Sequence, residues 1–310
     1  MKKSLVIHPH ELSRKWIDKM ADMGVDTLGI HPVGGVKAHE TLNELIERLN
    51  TAEFRNLIDY ACRRGLSIEY ELHAASYLLP RELFATNPEY FRMDENGNRT
   101  TEINLCASNH DALEFVCKRA VELAKLLYRS SGKYYFWLDD ARHTGCCCPK
   151  CREYSDSDQQ LMILNAVLKA LRLYDPDAKL AYLAYFSTIT PPEKVAKEDG
   201  IFVEYAPIER DFKTRLSESD QADVSNIKSL VEFFGRSDAK VLEYWLDNSL
   251  FSGWKPDNIQ KLEPDNSLIR DDIHYYNSLG FEYISTFACY LGEDYEALYG
   301  EPDISGFCNS

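Results

Sequence analysis

The sequence predicts an α/β fold, a single (β/α)8 TIM barrel over residues 1–310, with an elaborated loop after strand three and a cysteine-rich loop after strand four. Three observations predict it. Short β-branched or aromatic runs alternate eight times with longer stretches of helical periodicity, the pattern of parallel strands joined by crossovers. No Gly-x-Gly-x-x-Gly follows the first strand, which disfavours a doubly wound open sheet. The 310 residues suit one barrel, which needs about 250 before insertions, and no composition break marks a linker.

Residues 4–8 form the first expected strand, and an amphipathic helix over 11–23 follows, ended by the turn at Gly24. Residues 27–31 form the second strand; Gly34 and Gly35 then lead into one long helix over 42–64, stopped by Gly65. Residues 67–73 alternate with period two and form the third. The segment 74–109 is read as a long βα loop with a turn at 94–98, and loops of that length usually carry function. A helix over 112–128 precedes strand four at 134–138, and a helix over 158–174 follows it. Strands five to eight fall at 179–185, 201–205, 240–246 and 283–287, with helices over 224–234 and 267–279 between the last three.

The 35 basic against 50 acidic residues give a net charge of −15. Such a surface repels phosphate backbones and anionic lipid, so neither nucleic acid nor membrane is an expected partner. The apolar run at the N-terminus stops after Ile7, far short of a secretory signal, and no run is long enough to cross a bilayer. Nine cysteines, four of them crowded at Cys146, Cys147, Cys148 and Cys151, make a poor disulfide framework. A cytoplasmic location is the expectation. Oligomeric state is not legible.

Barrel enzymes place their chemistry on the loops at the C-terminal ends of the strands. His8, His10 and His31 fall there after strands one and two, and Glu71 and His73 close strand three. Asp139 and Asp140 end strand four, Tyr185 strand five, and Glu204 and Tyr205 strand six. Glu243, Tyr244, Trp245, Asp247 and Asn248 surround the end of strand seven, with Tyr290 and Glu293 after strand eight. The sharpest signal is the run from Tyr134 to Asp140, an apolar strand ending in two carboxylates. In one low-dielectric cleft, two such groups repel, leaving a proton donor beside a carboxylate that stays ionised. Glycoside cleavage needs that pair, or one acid and a second carboxylate across the sugar ring, for which Glu243 and Asp247 are candidates. The alternative is that Asp140 caps the next turn and only Asp139 faces the cleft, since consecutive strand residues point opposite ways. Aromatic faces beside carboxylates suit sugars, which makes Trp245 a candidate binding residue or a filler between barrel and helices. His31 and His73 are equally readable as bracing histidines.

Cys146, Cys148 and Cys151 have Cys-x-Cys-x-x-Cys spacing, which can converge on one tetrahedral ion with a fourth ligand from elsewhere. A structural zinc clamping the loop after Asp140 is one reading, and a reduced turn with packed sulfurs is the other. Catalysis requires no cofactor on either.

The segments Asn104–Asn109, Tyr135–Asp140, Cys146–Cys151 and Tyr244–Phe251 resemble those of an uncharacterised bacterial family, a domain of unknown function allied to α-glucuronidase-like and hexosaminidase-like glycoside hydrolase barrels. The resemblance runs from about strand three to the C-terminus and implies a glycosidase-type barrel. Asp139-Asp140 alone also resembles the pair in β-N-acetylglucosaminidases that use the substrate's acetamido group. That similarity implies Asp139 as the residue orienting the acetamide and Asp140 as the general acid.

The resulting expectation is a hydrolase of O-glycosyl bonds in a small oligosaccharide or glycoconjugate. Asp139, Asp140 and Glu243 are its catalytic candidates. His31, Glu71, His73, Asn104, Tyr185, Glu204, Tyr205, Trp245, Asp247 and Tyr290 are its substrate-binding candidates. Two rivals stand beside it. One is a non-catalytic sugar-binding barrel; the other is a metal-dependent sugar isomerase or lyase using His31, Glu71, His73 and Glu204 as ligands.

Overall fold

The computed structural model describes residues 1–219 and 221–309. Eight strands form a closed barrel with flanking helices: β1 (Lys2–Ile7), β2 (Thr27–Ile30), β3 (Ser67–His73), β4 (Lys133–Trp137), β5 (Lys179–Ala184), β6 (Ile201–Tyr205), β7 (Lys240–Glu243) and β8 (Tyr283–Phe287). They are hydrogen-bonded in chain order, and β1 closes on β8 in parallel, with Leu5 opposite Thr286. Closure leaves no free edge, as expected for eight tilted strands. Among the described residues, no helix is long and apolar enough to cross a membrane.

The chain falls into two compact units. One comprises Met1–His31, Ala52–Glu69 and Val203–Ser310, with a core that includes Leu5, Ile17, Ile58, Val241 and Tyr276. Its helix Arg14–Asp22 starts where Ser13 Oγ accepts the Trp16 N–H, and Asp265 caps the helix Asn266–Leu279 in the same way. That helix ends at Gly280, whose φ of 105° is open to glycine at little steric cost. Within the barrel wall Lys240 sits between two carboxylates, 3.1 Å from Glu69 Oε2 and 3.2 Å from Glu204 Oε1, all three buried. A buried charge is tolerated only with such pairing.

The other unit comprises Pro32–Thr51 and Tyr70–Phe202, packed around Leu45, Tyr70, Phe91, Tyr135, Leu161 and Tyr182. Asn109 caps the helix His110–Leu126, and Ser155 with Asp158 forms a capping box on Asp156–Leu171. The 74–109 segment holds a short helix, Ala75–Leu78, two 3-10 turns and the bridges Phe91–Leu105 and Met93–Arg99. Its expected turn is built on Asp94 Oδ1, which accepts the N–H groups of Asn96 and Asn98.

Three expectations change. The long helix over 42–64 is two helices, Ala38–Leu49 and Ala52–Arg63. Thr51 ends the first by donating both its N–H and its hydroxyl to the Arg48 carbonyl, at 2.9 and 2.7 Å. Strand seven stops at Glu243 rather than 246, because Asp247 N–H turns back to the Tyr244 carbonyl. No α-helix joins β5 to β6. Pro191 and Pro192 interrupt that connection, and Asp158 Oδ1 gathers the N–H groups of Glu193, Lys194 and Val195 at 2.8–3.1 Å instead.

Candidate active site

At the end of β4 the two aspartates turn to different partners. Asp139 Oδ2 accepts the Asn104 N–H at 2.5 Å and pairs with Arg81, while Asn104 Oδ1 accepts the Asp139 N–H at 2.9 Å. Asn104 therefore brackets Asp139 from both sides, and its own φ of 46° is uncommon for a residue with a side chain. Asp140 Oδ1 accepts the Tyr185 hydroxyl at 3.0 Å. Its Oδ2 faces Gly34, where a Cβ would lie 3.3 Å away and only 2.9 Å from His73 Cδ2. Glycine is what lets this backbone run so close. His73 Nδ1 donates to the Leu138 carbonyl at 2.7 Å, and its ring meets Trp137 edge-on. Phe186 packs at a tilt against Tyr185, 4.0 Å between ring centroids and 43° between planes, lies under the Arg142 guanidinium at 4.4 Å, and holds φ 46°. The result is a half-buried carboxylate, Asp140, beside an aromatic face and a hydroxyl.

The end of β7 is built differently. Glu243 is fully enclosed: Oε1 accepts the Tyr276 hydroxyl at 2.6 Å and pairs with Arg210 at 2.7 Å, and Arg210 also bridges to Asp272 at 2.5 Å. Burial pushes the Glu243 carboxyl up, with the Arg210 charge and the Tyr276 hydrogen bond opposing. Trp245 Nε1 donates to Asp272 at 3.3 Å, and Trp245 lines a cavity of about 390 Å³ together with Arg210, Phe212, Phe251, Lys261 and Leu262. That volume is in the range of small-molecule sites. Tyr205 is buried beside Tyr276. Asp247 caps the short helix Asn248–Phe251, accepting from Ser249 and Leu250 N–H and the Ser249 hydroxyl. Burial raises its carboxyl to about 6.

Around the ends of β1 and β8, His8 Nδ1 donates to the His31 carbonyl at 2.8 Å, and His31 meets Phe287 edge-on. Glu11 accepts the N–H groups of His8 and Leu291. Burial lowers His8 to about 4 and raises Glu11 to about 7. Tyr290 sits against the His8 ring with φ 60°. With Glu11 tied to backbone by both oxygens, this cluster reads as a hydrogen-bonded seam.

The cysteine loop brings in a residue that spacing did not suggest. Cys106, Cys146, Cys148 and Cys151 are all buried, with ligand atoms within 4.8 Å of one another, and none forms a disulfide. Hydrogen bonds from Cys146 and Cys151 draw the Cys106 thiol far below its ordinary range, and Ser108 and Arg99 add smaller contributions. Among the described residues, the groups of three or more ligand atoms this close are that one and His8, Glu11 and Cys289. The isomerase set of His31, Glu71, His73 and Glu204 appears in neither; Glu71 is fully buried in β3 and Glu204 is paired with Lys240.

Arg81, Gly34, Phe186 and Arg142 were missed by sequence reasoning. Their only signal was position, since each lies in a loop after strands two to five.

A sequence family described as a domain of unknown function (DUF4838) matches residues 42–286. The chain belongs to this family. No curated protein matches it. Among solved structures it is similar to a β-galactosidase from the psychrophilic Marinomonas ef1, at 12% identity and TM-score 0.53, over 92% of this chain and 54% of that one. This chain thus spans about half of that enzyme's length. It is also similar to a glycoside hydrolase family 5 enzyme from Prevotella bryantii B14, at 10% identity and TM-score 0.53, over 96% and 84% of the two chains. A Bacteroides ovatus GH5 xyloglucanase in complex with a heptasaccharide gives 12% identity and TM-score 0.52, over 96% and 66%. At such identities the likeness is one of fold alone, the closed eight-stranded parallel barrel that this chain shares with those enzymes.

Proposed function

We propose that the protein hydrolyses a glycosidic bond of a small oligosaccharide or glycoconjugate, with Asp140 as the acid/base. The observation that carries this reading is the arrangement at the end of β4: Asp140 is half-buried and held through one oxygen by Tyr185, so its other oxygen is left for a substrate proton. Asp139, fixed through Oδ2 by Arg81 and Asn104, keeps Oδ1 as an acceptor that orients the sugar. Tyr185 and Phe186 supply a ring face for a pyranose, since aromatic faces pack against C–H faces. His73 supports the same wall. Glu243 is enclosed and paired, so the second chemical role falls to Asp139 or to a group of the substrate itself, as in acetamido-assisted cleavage. The carbohydrate bound by the Bacteroides ovatus relative in fold favours the same substrate class. The free thiols favour a reducing, cytoplasmic setting.

A panel of chromogenic glycosides, N-acetylhexosaminides and glucuronides included, tests the reading. Turnover of at least one member, unchanged on immediate addition of chelator, is expected. Saturable oligosaccharide binding without turnover of any member would leave a sugar-binding barrel in its place, and instant loss with chelator would favour metal-dependent chemistry.

A further inference from the structure

We propose that Cys106, Cys146, Cys148 and Cys151 hold one structural zinc ion, and that this ion fixes the bracket Asn104 places on Asp139. The geometry is close to what the ion needs. Four sulfurs at about 2.3 Å from a tetrahedral zinc lie about 3.8 Å from one another. Cys106 Sγ is 3.7 Å from Cys148 Sγ and 3.8 Å from Cys151 Sγ. All four ligands are protein sulfur, the closed arrangement of a structural rather than a catalytic zinc.

Donors aim at the sulfurs from outside, as thiolate ligands require. Met93 N–H points to Cys146 Sγ at 3.3 Å and an Arg99 guanidinium nitrogen lies 3.5 Å from it. With the thiols protonated, Cys151 Sγ–H donates to the Ser108 hydroxyl oxygen at 3.2 Å, and that oxygen lies 3.7 Å from Cys148 Sγ; once the thiols are deprotonated, the hydroxyl is free to turn its proton to one of the two sulfurs. On binding, the thiols release their protons to solvent, and the arginine offsets part of the negative charge left on the sulfurs.

The ligands come from two loops. Cys106 closes the long segment after β3, and the other three belong to the loop after β4. These loops already touch through Cys147 N–H to the Met93 carbonyl at 2.8 Å and Arg92 Nε to the Gly145 carbonyl at 2.7 Å. Asn104 stands two residues before Cys106 and also donates Nδ2 to the Thr144 carbonyl, two residues before Cys146. Staking Cys106 to Cys146 therefore holds Asn104 against Asp139. This last step concerns a residue of the proposed hydrolase site; the metal site stands without it.

Protein purified under reducing conditions without chelator is expected to contain one zinc per chain by elemental analysis. Cys106→Ser should bind zinc at least about tenfold more weakly, and Cys117→Ser, outside the cluster, should keep it. Should Cys106→Ser fail to fold, wild-type protein exchanged with cobalt answers instead: sulfur-to-cobalt charge transfer with intense tetrahedral visible bands is expected. Hydrogen exchange reads the coupling, with the Asn104 and Asp139 amides expected to exchange at least about tenfold faster after zinc removal. Metal-free wild-type protein, stoichiometric iron, or a cobalt spectrum without sulfur ligation would overturn the site; unchanged exchange at both amides would overturn the coupling. None of these readouts needs a glycoside to turn over, so a failed metal site is told apart from a failed hydrolase reading.

Discussion

Asp140 at the end of β4 has one oxygen on Tyr185 and the other facing glycine, whereas Glu243 at the end of β7 is sealed between Arg210 and Tyr276. Both are acidic residues beside aromatic ones at strand ends of one barrel, so their sequence contexts look alike. Their surroundings separate them. A general acid needs an accessible oxygen near a substrate proton, while a carboxylate with a buried cation and a hydroxyl on the same oxygen is occupied by holding the structure together. Position on the rim nominates a residue; the state of its partners decides whether it is available for chemistry.

The largest effect expected is at Asp140. Asp140→Asn should lower turnover of unactivated glycosides by roughly 10²–10⁴, with substrate binding nearly intact, and should matter less for substrates with good leaving groups. Full activity of this variant on an unactivated glycoside would remove the β4 side of the comparison. Next comes Glu243→Ala, which leaves Arg210 buried with one partner fewer and should cost about 3–5 kcal/mol in denaturant unfolding. If the variant is as stable as wild type yet inactive, Glu243 is a catalytic carboxylate and the contrast collapses.

Asp247 sharpens the β7 side through pH. Its folded carboxyl sits at about 6 against an ordinary 3.8, so between these values the native state binds more protons than the unfolded chain. Its contribution is therefore full below pH 3.8 and is lost as pH rises through 6, about 3 kcal/mol in all at 1.36 kcal/mol per pH unit. Asp247→Asn keeps a capping oxygen without the charge. It should be more stable than wild type at pH 7, with the gap closing below about pH 4, as read by urea titrations across that range. A gap independent of pH would mean that Asp247 ionises freely in the folded protein.

Much of the fold was legible because strand signals survive local accident: β3 runs over the residues expected from its alternation, and β6 and β8 over those expected from their short β-branched and aromatic runs. Where the reading slipped, a single polar group redirected the chain, as Thr51 does at the helix break and Asp158 does in the β5–β6 connection. The site was legible as a set of rim positions and less so as roles. Asn104, expected to contact substrate, brackets Asp139, and Asp247 caps a helix turn. Neither hydrogen bond leaves a mark on hydrophobic periodicity. Cys106 lies 40 residues before Cys146, and no spacing rule reaches that far across a long loop.

The smallest effect, and the finest test of the contrast, is expected at Tyr185. Its hydroxyl donates to Asp140 Oδ1 at 3.0 Å, and its ring packs at a tilt against Phe186. Tyr185→Phe keeps the ring and removes the hydroxyl that holds Asp140, so the sugar-facing surface persists while Asp140 loses its tether. A hydrogen bond to a charged group contributes about 1.5–3 kcal/mol, and only the part that differs between ground and transition state appears in the rate. Turnover should therefore fall about tenfold with KM little changed, and denaturant stability should shift by less than about 1 kcal/mol, because the residue is half-buried and its partner reaches solvent. A rise in KM with kcat unchanged would show Tyr185 as a binding residue that does not orient the acid. A stability loss as large as that of Glu243→Ala would show that the hydroxyl locks the β4 rim as firmly as Arg210 locks that of β7, and the difference between the two strand ends would then lie in access to solvent alone.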